Sequence, residues 1–139
     1  MGNSSSSSKK SVPGDREMYE LMIEAQFSAA HQLRCYKGKC ENLHGHNWRV
    51  QVTVSSENLN DIGLAIDFHE LKKLTYEVLK NLDHSFLNDV FPFTELNPSS
   101  ENIAKWVYET LRKRISEEEV SLSSVTVWES DAASATYFE

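Results

Sequence analysis

A chain of 139 residues with 40% apolar side chains is long enough to bury one sizeable core, and it points to a single domain. A formal net charge of -7 with no concentrated basic stripe excludes nucleic acid as a general partner, because neutralising phosphates takes clustered Lys and Arg. No apolar run approaches a membrane span, so no membrane partner is expected, and two cysteines without a recognisable signal peptide point to a reducing, cytoplasmic setting.

Residues 1–17 are serine-rich and nearly devoid of apolar side chains, so they cannot join a core. They read as a disordered leader or expression tag, with the folded domain over 18–139 and Met18 as its natural start. The opening Met-Gly-x-x-x-Ser matches an N-myristoylation pattern, but so short a match is weak.

Leu21, Ile23, Ala25, Phe27 and Ala29 alternate with Glu20, Glu24, Gln26 and Ser28, which predicts a strand carrying His31 on its apolar face at the C-terminal end. A loop over 32–43 leads to a second predicted strand. There His44, His46, Trp48, Val50, Val52 and Val54 share one parity, while Asn47, Arg49, Gln51 and Thr53 take the other. Residues i and i+2 of a strand lie roughly 6.6 Å apart, so two imidazoles on one face can converge on one ion. Gly45 between them leaves room for another group. Antiparallel pairing of the two strands would set the end of the first beside the start of the second and bring His31 to His44 and His46. Three imidazoles with no fourth protein ligand form an open catalytic zinc site, so Zn2+ is the expected cofactor, with water or substrate in the remaining position. Cys40 reads as a thiolate rather than half of a disulfide. A closed structural site of Cys35, Cys40, His44 and His46 is the alternative, and it would make the chain a metal-stabilised binding module. Its His-x-His spacing is shorter than finger ligands use.

Beyond a polar turn over 55–61, a helix is predicted from Asp67, with Ile66 and Leu71 as an apolar staple around an Asp67–Glu70 capping box. Phe68, Leu71, Leu74, Val78 and Leu82 form its apolar stripe, and His69 falls off it as a solvated residue. Leu82-Asp83-His84 ends that pattern, and 88–97 is read as loop. A second helix starts near Ser99, burying Ile103, Trp106, Val107, Leu111 and Ile115, with Glu101 near its positive end. Two closing strands follow at 124–129 and 133–138, and Glu129 shares the parity of Val125 and Val127, so an acid ends an otherwise apolar face and needs a partner. The order β-β-α-α-β-β suggests an α+β fold, a four-stranded antiparallel sheet with two helices on one face.

F-S-A-A-H at 27–31, C-E-N-L-H-G-H at 40–46, L-D-H at 82–84, P-S-S-E-N-I-A at 98–104 and V-W-E at 127–129 together resemble the 6-pyruvoyltetrahydropterin synthase family over about 18–139. The spacing from Cys40 to His44 is most similar to the 6-carboxytetrahydropterin synthases of queuosine biosynthesis. The resemblance implies the tunnelling fold, trimers that stack as hexamers with active sites between subunits, and a zinc-dependent lyase. It implies a pterin substrate, 7,8-dihydroneopterin triphosphate, which the carboxy branch rearranges with loss of triphosphate and acetaldehyde. It assigns Cys40 as base and gives it His84 of a neighbouring subunit, oriented by Asp83. In that setting Glu129 would take the pterin's 2-amino group and N3–H, and Arg34, Lys37 and Lys39 could meet the triphosphate, though a solvated basic loop is the favoured reading of those three. Glu41 adds a second reading, Glu-x-x-His-Gly-His, similar to family variants that make 6-hydroxymethyldihydropterin for folate, so a bifunctional enzyme is an open alternative, as is 6-pyruvoyltetrahydropterin formation.

Overall fold

The computed structural model describes residues 17–34 and 41–139. All of the expected leader except Glu17, and Cys35, Lys37, Lys39 and Cys40, therefore lie outside the described residues. The expected alternation is realised in β1 (Tyr19–His31) and β2 (His44–Ser56), which pair antiparallel along their whole length, from Tyr19 opposite Ser56 to His31 opposite His44. Ile23, Ala25, Phe27 and Ala29 of β1 and Trp48, Val50, Val52 and Val54 of β2 are all buried on one face. The other face is polar, with Gln51 Nε2 donating to Glu24 Oε2 over 2.7 Å. Slipping the register by one residue would turn every one of these side chains to the wrong face, so the alternation itself fixes where the histidines meet. Phe27 and Trp48 stand opposite each other and stack at 5.8 Å between centroids, an interaction contributing roughly 0.2–1 kcal/mol.

Helix α1 (Phe68–Leu79) packs on β1, and α2 (Ser100–Arg112) packs on β4 (Ser121–Ser130) and β5 (Ala133–Phe138). Both helices bury their apolar sides in the same core as the sheet, giving the expected α+β layering. The sheet itself departs from expectation. Among the described residues it has five strands in the order β3-β1-β2-β4-β5, and the added strand β3 (Ser85–Phe86) runs parallel to β1 beside Ala29 and Ala30. Two residues are too few to show a period-two pattern. They are brought to the edge by the turn before them, where Asp83 Oδ1 accepts the Ser28 N–H at 2.9 Å and the His84 N–H donates to the Ser28 carbonyl at 2.6 Å.

Asp67 caps α1 as expected, accepting the His69 N–H at 2.8 Å, and Ile66 and Leu71 are both buried. Phe68 does not join the stripe. It is 52% exposed and shares a surface cleft with Met22, while Thr75 and Leu79 are buried instead. Thr75 tolerates this because its hydroxyl donates to the Leu71 carbonyl at 2.8 Å. The helix stops at Leu79, and Leu82 is buried from the turn beyond it. Ser99 caps α2 through the Asn102 N–H, Ala104 and Tyr108 join the expected buried stripe, and Trp106 is half-buried. The segment read as loop, 88–97, is anchored by fully buried Phe93, and Leu87 just before it is fully buried as well. Among the described residues no helix is long and apolar enough to cross a membrane.

Candidate metal centre and active site

The ends of β1 and β2 do what their parity demands: His31, His44 and His46 gather, and Glu129 from β4 joins them, with one ligand atom from each of the four within 4.8 Å of the others. His31 Nε2 lies 3.0 Å from His44 Nε2 and 3.6 Å from Glu129 Oε2, and His46 Nε2 lies 3.0 Å from the same carboxylate oxygen. Donors held about 2.0–2.1 Å from a tetrahedral zinc stand roughly 3.3 Å apart, so these spacings match a shared cation.

Proton bookkeeping points the same way. His31 Nδ1 donates to the Pro98 carbonyl at 2.7 Å and His44 Nδ1 to the Asn42 carbonyl at 2.8 Å. A carbonyl only accepts, so each neutral ring carries its proton on Nδ1 and leaves an Nε2 lone pair facing the other. Two lone pairs at that distance repel unless a cation lies between them. The buried His46 Nε2 makes no hydrogen bond despite its nearness to Glu129. Burial holds the His46 imidazole below its ordinary pKa, with the neighbouring His31 and His44 adding to the effect against the opposing pull of Glu129. A ligating imidazole must be neutral, so the donor set fits Zn2+.

Three supports of this site escaped the sequence reading. Trp48, fully buried, closes the floor with its ring 4.9 Å from that of His31 and 5.0 Å from that of His46, and its Nε1 donates to the Ala29 carbonyl. The Pro98 carbonyl orients His31, and Ser100 Oγ donates to Glu129 Oε1 at 3.2 Å. Nothing in a Ser-Ser pair before a helix distinguishes the capping serine from one that faces a carboxylate across the fold.

Asp83 and His84 do not join the cluster. They pair with each other, Asp83 Oδ2 to His84 Nδ1 at 3.0 Å, beside Ser28, three residues before His31 on β1. The His84 side chain is 82% exposed and its backbone sits at φ +57°, a left-handed conformation that a residue with a side chain adopts at a penalty. Glu41 closes the base of the loop before His44: its N–H donates to the Leu33 carbonyl at 2.8 Å and its Oε1 accepts the Leu33 N–H at 3.1 Å. Arg34 is likewise committed, its guanidinium donating to the carbonyls of Phe93 and Leu96.

The family model described as 6-pyruvoyl tetrahydropterin synthase matches residues 20–139. The chain belongs to this family. A 6-carboxy-5,6,7,8-tetrahydropterin synthase of Synechocystis is 39% identical over 126 residues, 87% of this chain and 94% of that protein. A dihydroneopterin monophosphate aldolase of Pyrococcus furiosus is 37% identical over 109 residues, covering 78% of this chain and 88% of its own. The solved 6-pyruvoyl tetrahydropterin synthase of Caenorhabditis elegans superposes with a TM-score of 0.76 at 28% identity, over 88% of this chain and 96% of that one.

In this member of the 6-pyruvoyl tetrahydropterin synthase family, Asp83 also has a structural duty that can be measured. The Ser28 N–H, and then His84, hold its carboxyl below the usual carboxylate range. A depressed folded-state pKa contributes stability above the unfolded value of about 4 and loses it as pH falls through the folded value. Asp83→Asn keeps an acceptor for Ser28 but no charge. Wild type is therefore expected to be the more stable at pH 6, with the gap closing below about pH 4, as followed by urea denaturation across pH. A gap that persisted unchanged at pH 3 would contradict this account.

Proposed function

We propose that this synthase-family chain converts 7,8-dihydroneopterin triphosphate to 6-carboxy-5,6,7,8-tetrahydropterin with release of acetaldehyde and triphosphate, as a zinc-dependent lyase of queuosine biosynthesis. The observation that carries the reading is the convergence of ring nitrogens of His31, His44 and His46 from the two strand ends that flank the cysteine-bearing segment. The name of the Synechocystis relative supports the carboxy branch. His31, His44 and His46 would hold Zn2+, which when bound supplies Lewis acidity toward oxygens of the pterin side chain.

Cys40 takes a proton from the substrate side chain. A thiol is a poor base until ionised, and a bound Zn2+ together with His84 would favour the thiolate. Asp83 fixes His84 by its Nδ1, which leaves Nε2 facing outward at the sheet edge. An outward imidazole on that edge suits a site completed by another subunit, consistent with a trimer or hexamer acting in the cytoplasm. Glu129 offers its carboxylate to the 2-amino group and N3–H of the pterin. Trp48 keeps bulk water from the imidazole floor. Because Arg34 is bonded to two carbonyls, contact with the triphosphate falls to Lys37 and Lys39 in this reading.

A second reading has its own support. Glu41 follows Cys40 directly and is pinned to Leu33, and the Pyrococcus relative carries an aldolase name. Glu41 would then act as a second base in a bifunctional enzyme that also makes 6-hydroxymethyldihydropterin. The structural-zinc module is disfavoured, since His44 and His46 meet His31 and Glu129.

Acetaldehyde tests the main reading. The purified protein with stoichiometric zinc is expected to release it from dihydroneopterin triphosphate, as followed with alcohol dehydrogenase, whereas triphosphate release without acetaldehyde would favour the pyruvoyl route. His84→Gly supplies a further check. Glycine relieves the left-handed backbone, so stability should hold or rise slightly while acetaldehyde release falls by roughly 10²-fold or more. Full activity in this variant would remove His84 from the mechanism.

A further inference from the structure

Strand β1 ends at His31, yet every backbone N–H and C=O of the next three residues is taken. The Gln32 N–H donates to Asn88 Oδ1 at 3.0 Å, and Asn88 Nδ2 donates back to the Gln32 carbonyl at 2.8 Å. The Arg34 N–H donates to Asn97 Oδ1 at 2.8 Å, and Asn97 Nδ2 returns a bond to the Arg34 carbonyl at 3.1 Å. A carboxamide carries an acceptor and a donor in the arrangement of a peptide group, so each asparagine stands in for one residue of a neighbouring strand. Leu33, between them, exchanges its bonds with Glu41 instead, and Gln32 Nε2 donates to the Glu41 carbonyl at 2.7 Å. Both ends of one loop are thereby tied together. The chain that leaves at Arg34 returns at Glu41, and Cys40 is bonded directly to the Glu41 nitrogen that the Leu33 carbonyl holds. The two asparagines are themselves fixed to the body of the fold. Asn88 lies in a short 3-10 turn (Leu87–Asp89) beside fully buried Leu87, and the Asn97 carbonyl accepts from Asn102 Nδ2 in the first turn of α2 at 2.8 Å.

We propose that Asn88 and Asn97 are positioning residues for the base of the reaction: they hold Gln32 and Arg34, Gln32 and Leu33 pass that position to Glu41, and Glu41 fixes the peptide that follows Cys40. This rests on the reading above in which Cys40 takes a proton from the substrate side chain. A base contributes only while it is held within hydrogen-bond reach of that proton, and a displacement of about 1 Å can cost on the order of 10²-fold in rate. Neither asparagine belongs to the group of metal donors, so their effect on the reaction runs through the loop they hold. Alanine at either position leaves one backbone N–H and one C=O without partners, and the root of the loop must shift to satisfy them with water.

A double-mutant cycle separates this role from a general support of the fold. Asn88→Ala and Asn97→Ala are each made in wild type and in Cys40→Ala, and the pterin formed from 7,8-dihydroneopterin triphosphate is measured beside zinc content. In the wild-type background each is expected to lower kcat by about 10- to 100-fold, with KM within about threefold and zinc stoichiometric. In the Cys40→Ala background the same substitutions should cost no more than about threefold, because the base they position is gone. Hydrogen exchange at the amides of residues 32–34 and 41 should quicken in both backgrounds. An equal loss of rate in both backgrounds would make the asparagines supports of the fold alone and overturn the proposal, as would an undiminished kcat. Zinc loss in Asn97→Ala would route its action through the Pro98 carbonyl and His31, and would overturn the proposal for that residue. Where an alanine variant does not fold, Asn88→Asp or Asn97→Asp takes its place in the cycle, since aspartate keeps the volume and the acceptor for the backbone N–H. The cycle is read on whichever pterin the wild type forms, so a product other than 6-carboxytetrahydropterin fails the reading above and still tests the two asparagines.

Discussion

Replacing His44 or His46 with alanine is expected to abolish bound zinc and acetaldehyde release together, and His31→Ala to do the same with an added loss of stability. Each removes one of three nitrogens that converge on a single point, and two imidazoles hold a divalent ion too weakly to survive purification at neutral pH. Activity should fall by more than the roughly 10- to 100-fold that loss of a supporting partner costs at a metal site. His31 differs from the others because it is 2% exposed and its Nδ1 satisfies the Pro98 carbonyl. Truncation leaves that carbonyl unpaired at about 1–3 kcal/mol, so denaturation must be followed beside metal content. His44 and His46 are half-buried and separate metal loss from unfolding. Stoichiometric zinc in the His44 or His46 variant, measured by atomic absorption, would break the three-imidazole assignment.

The second large effect separates neighbouring residues. Cys40→Ala is expected to lower formation of 6-carboxytetrahydropterin by about 10²- to 10⁴-fold, the contribution of a positioned base, while zinc remains bound. Glu41→Ala should spare that reaction. It does, however, remove the acceptor of the Leu33 N–H, so a modest loss of stability in the loop is expected. If Glu41 also serves as a base, its loss should selectively remove 6-hydroxymethyldihydropterin, a product that the Cys40 variant should retain. Undiminished carboxytetrahydropterin formation by Cys40→Ala would overturn the assignment of the base.

The strands and the three histidines were legible because both depend on one rule. Parity along β1 and β2 decides which face each side chain takes, and antiparallel pairing from Tyr19–Ser56 to His31–His44 carries that parity across the sheet. What parity could not reach lay at the ends and edges. Glu129 was placed on an apolar face in need of a partner, but that the partners are His31, His46 and Ser100 depends on how β4 meets β2 and on the bulge beside Trp128. Strand β3 is set by the Asp83–Ser28 hydrogen bond, a contact between residues 55 apart that leaves no periodic trace. Arg34 read as a loop cation because charge is visible in a sequence, whereas the free carbonyls of Phe93 and Leu96 that it satisfies are not. Phe68 fits the α1 period but sits at the helix's first turn beside exposed Met22.

The most direct measurement is the identity of the product that the wild-type protein makes. With stoichiometric zinc and 7,8-dihydroneopterin triphosphate, liquid chromatography with mass detection is expected to show 6-carboxy-5,6,7,8-tetrahydropterin as the main pterin, with acetaldehyde in equal amount and both lost on chelation of the metal. 6-Pyruvoyltetrahydropterin as the main product, with no acetaldehyde, would contradict the account and move this chain to the other branch of its family.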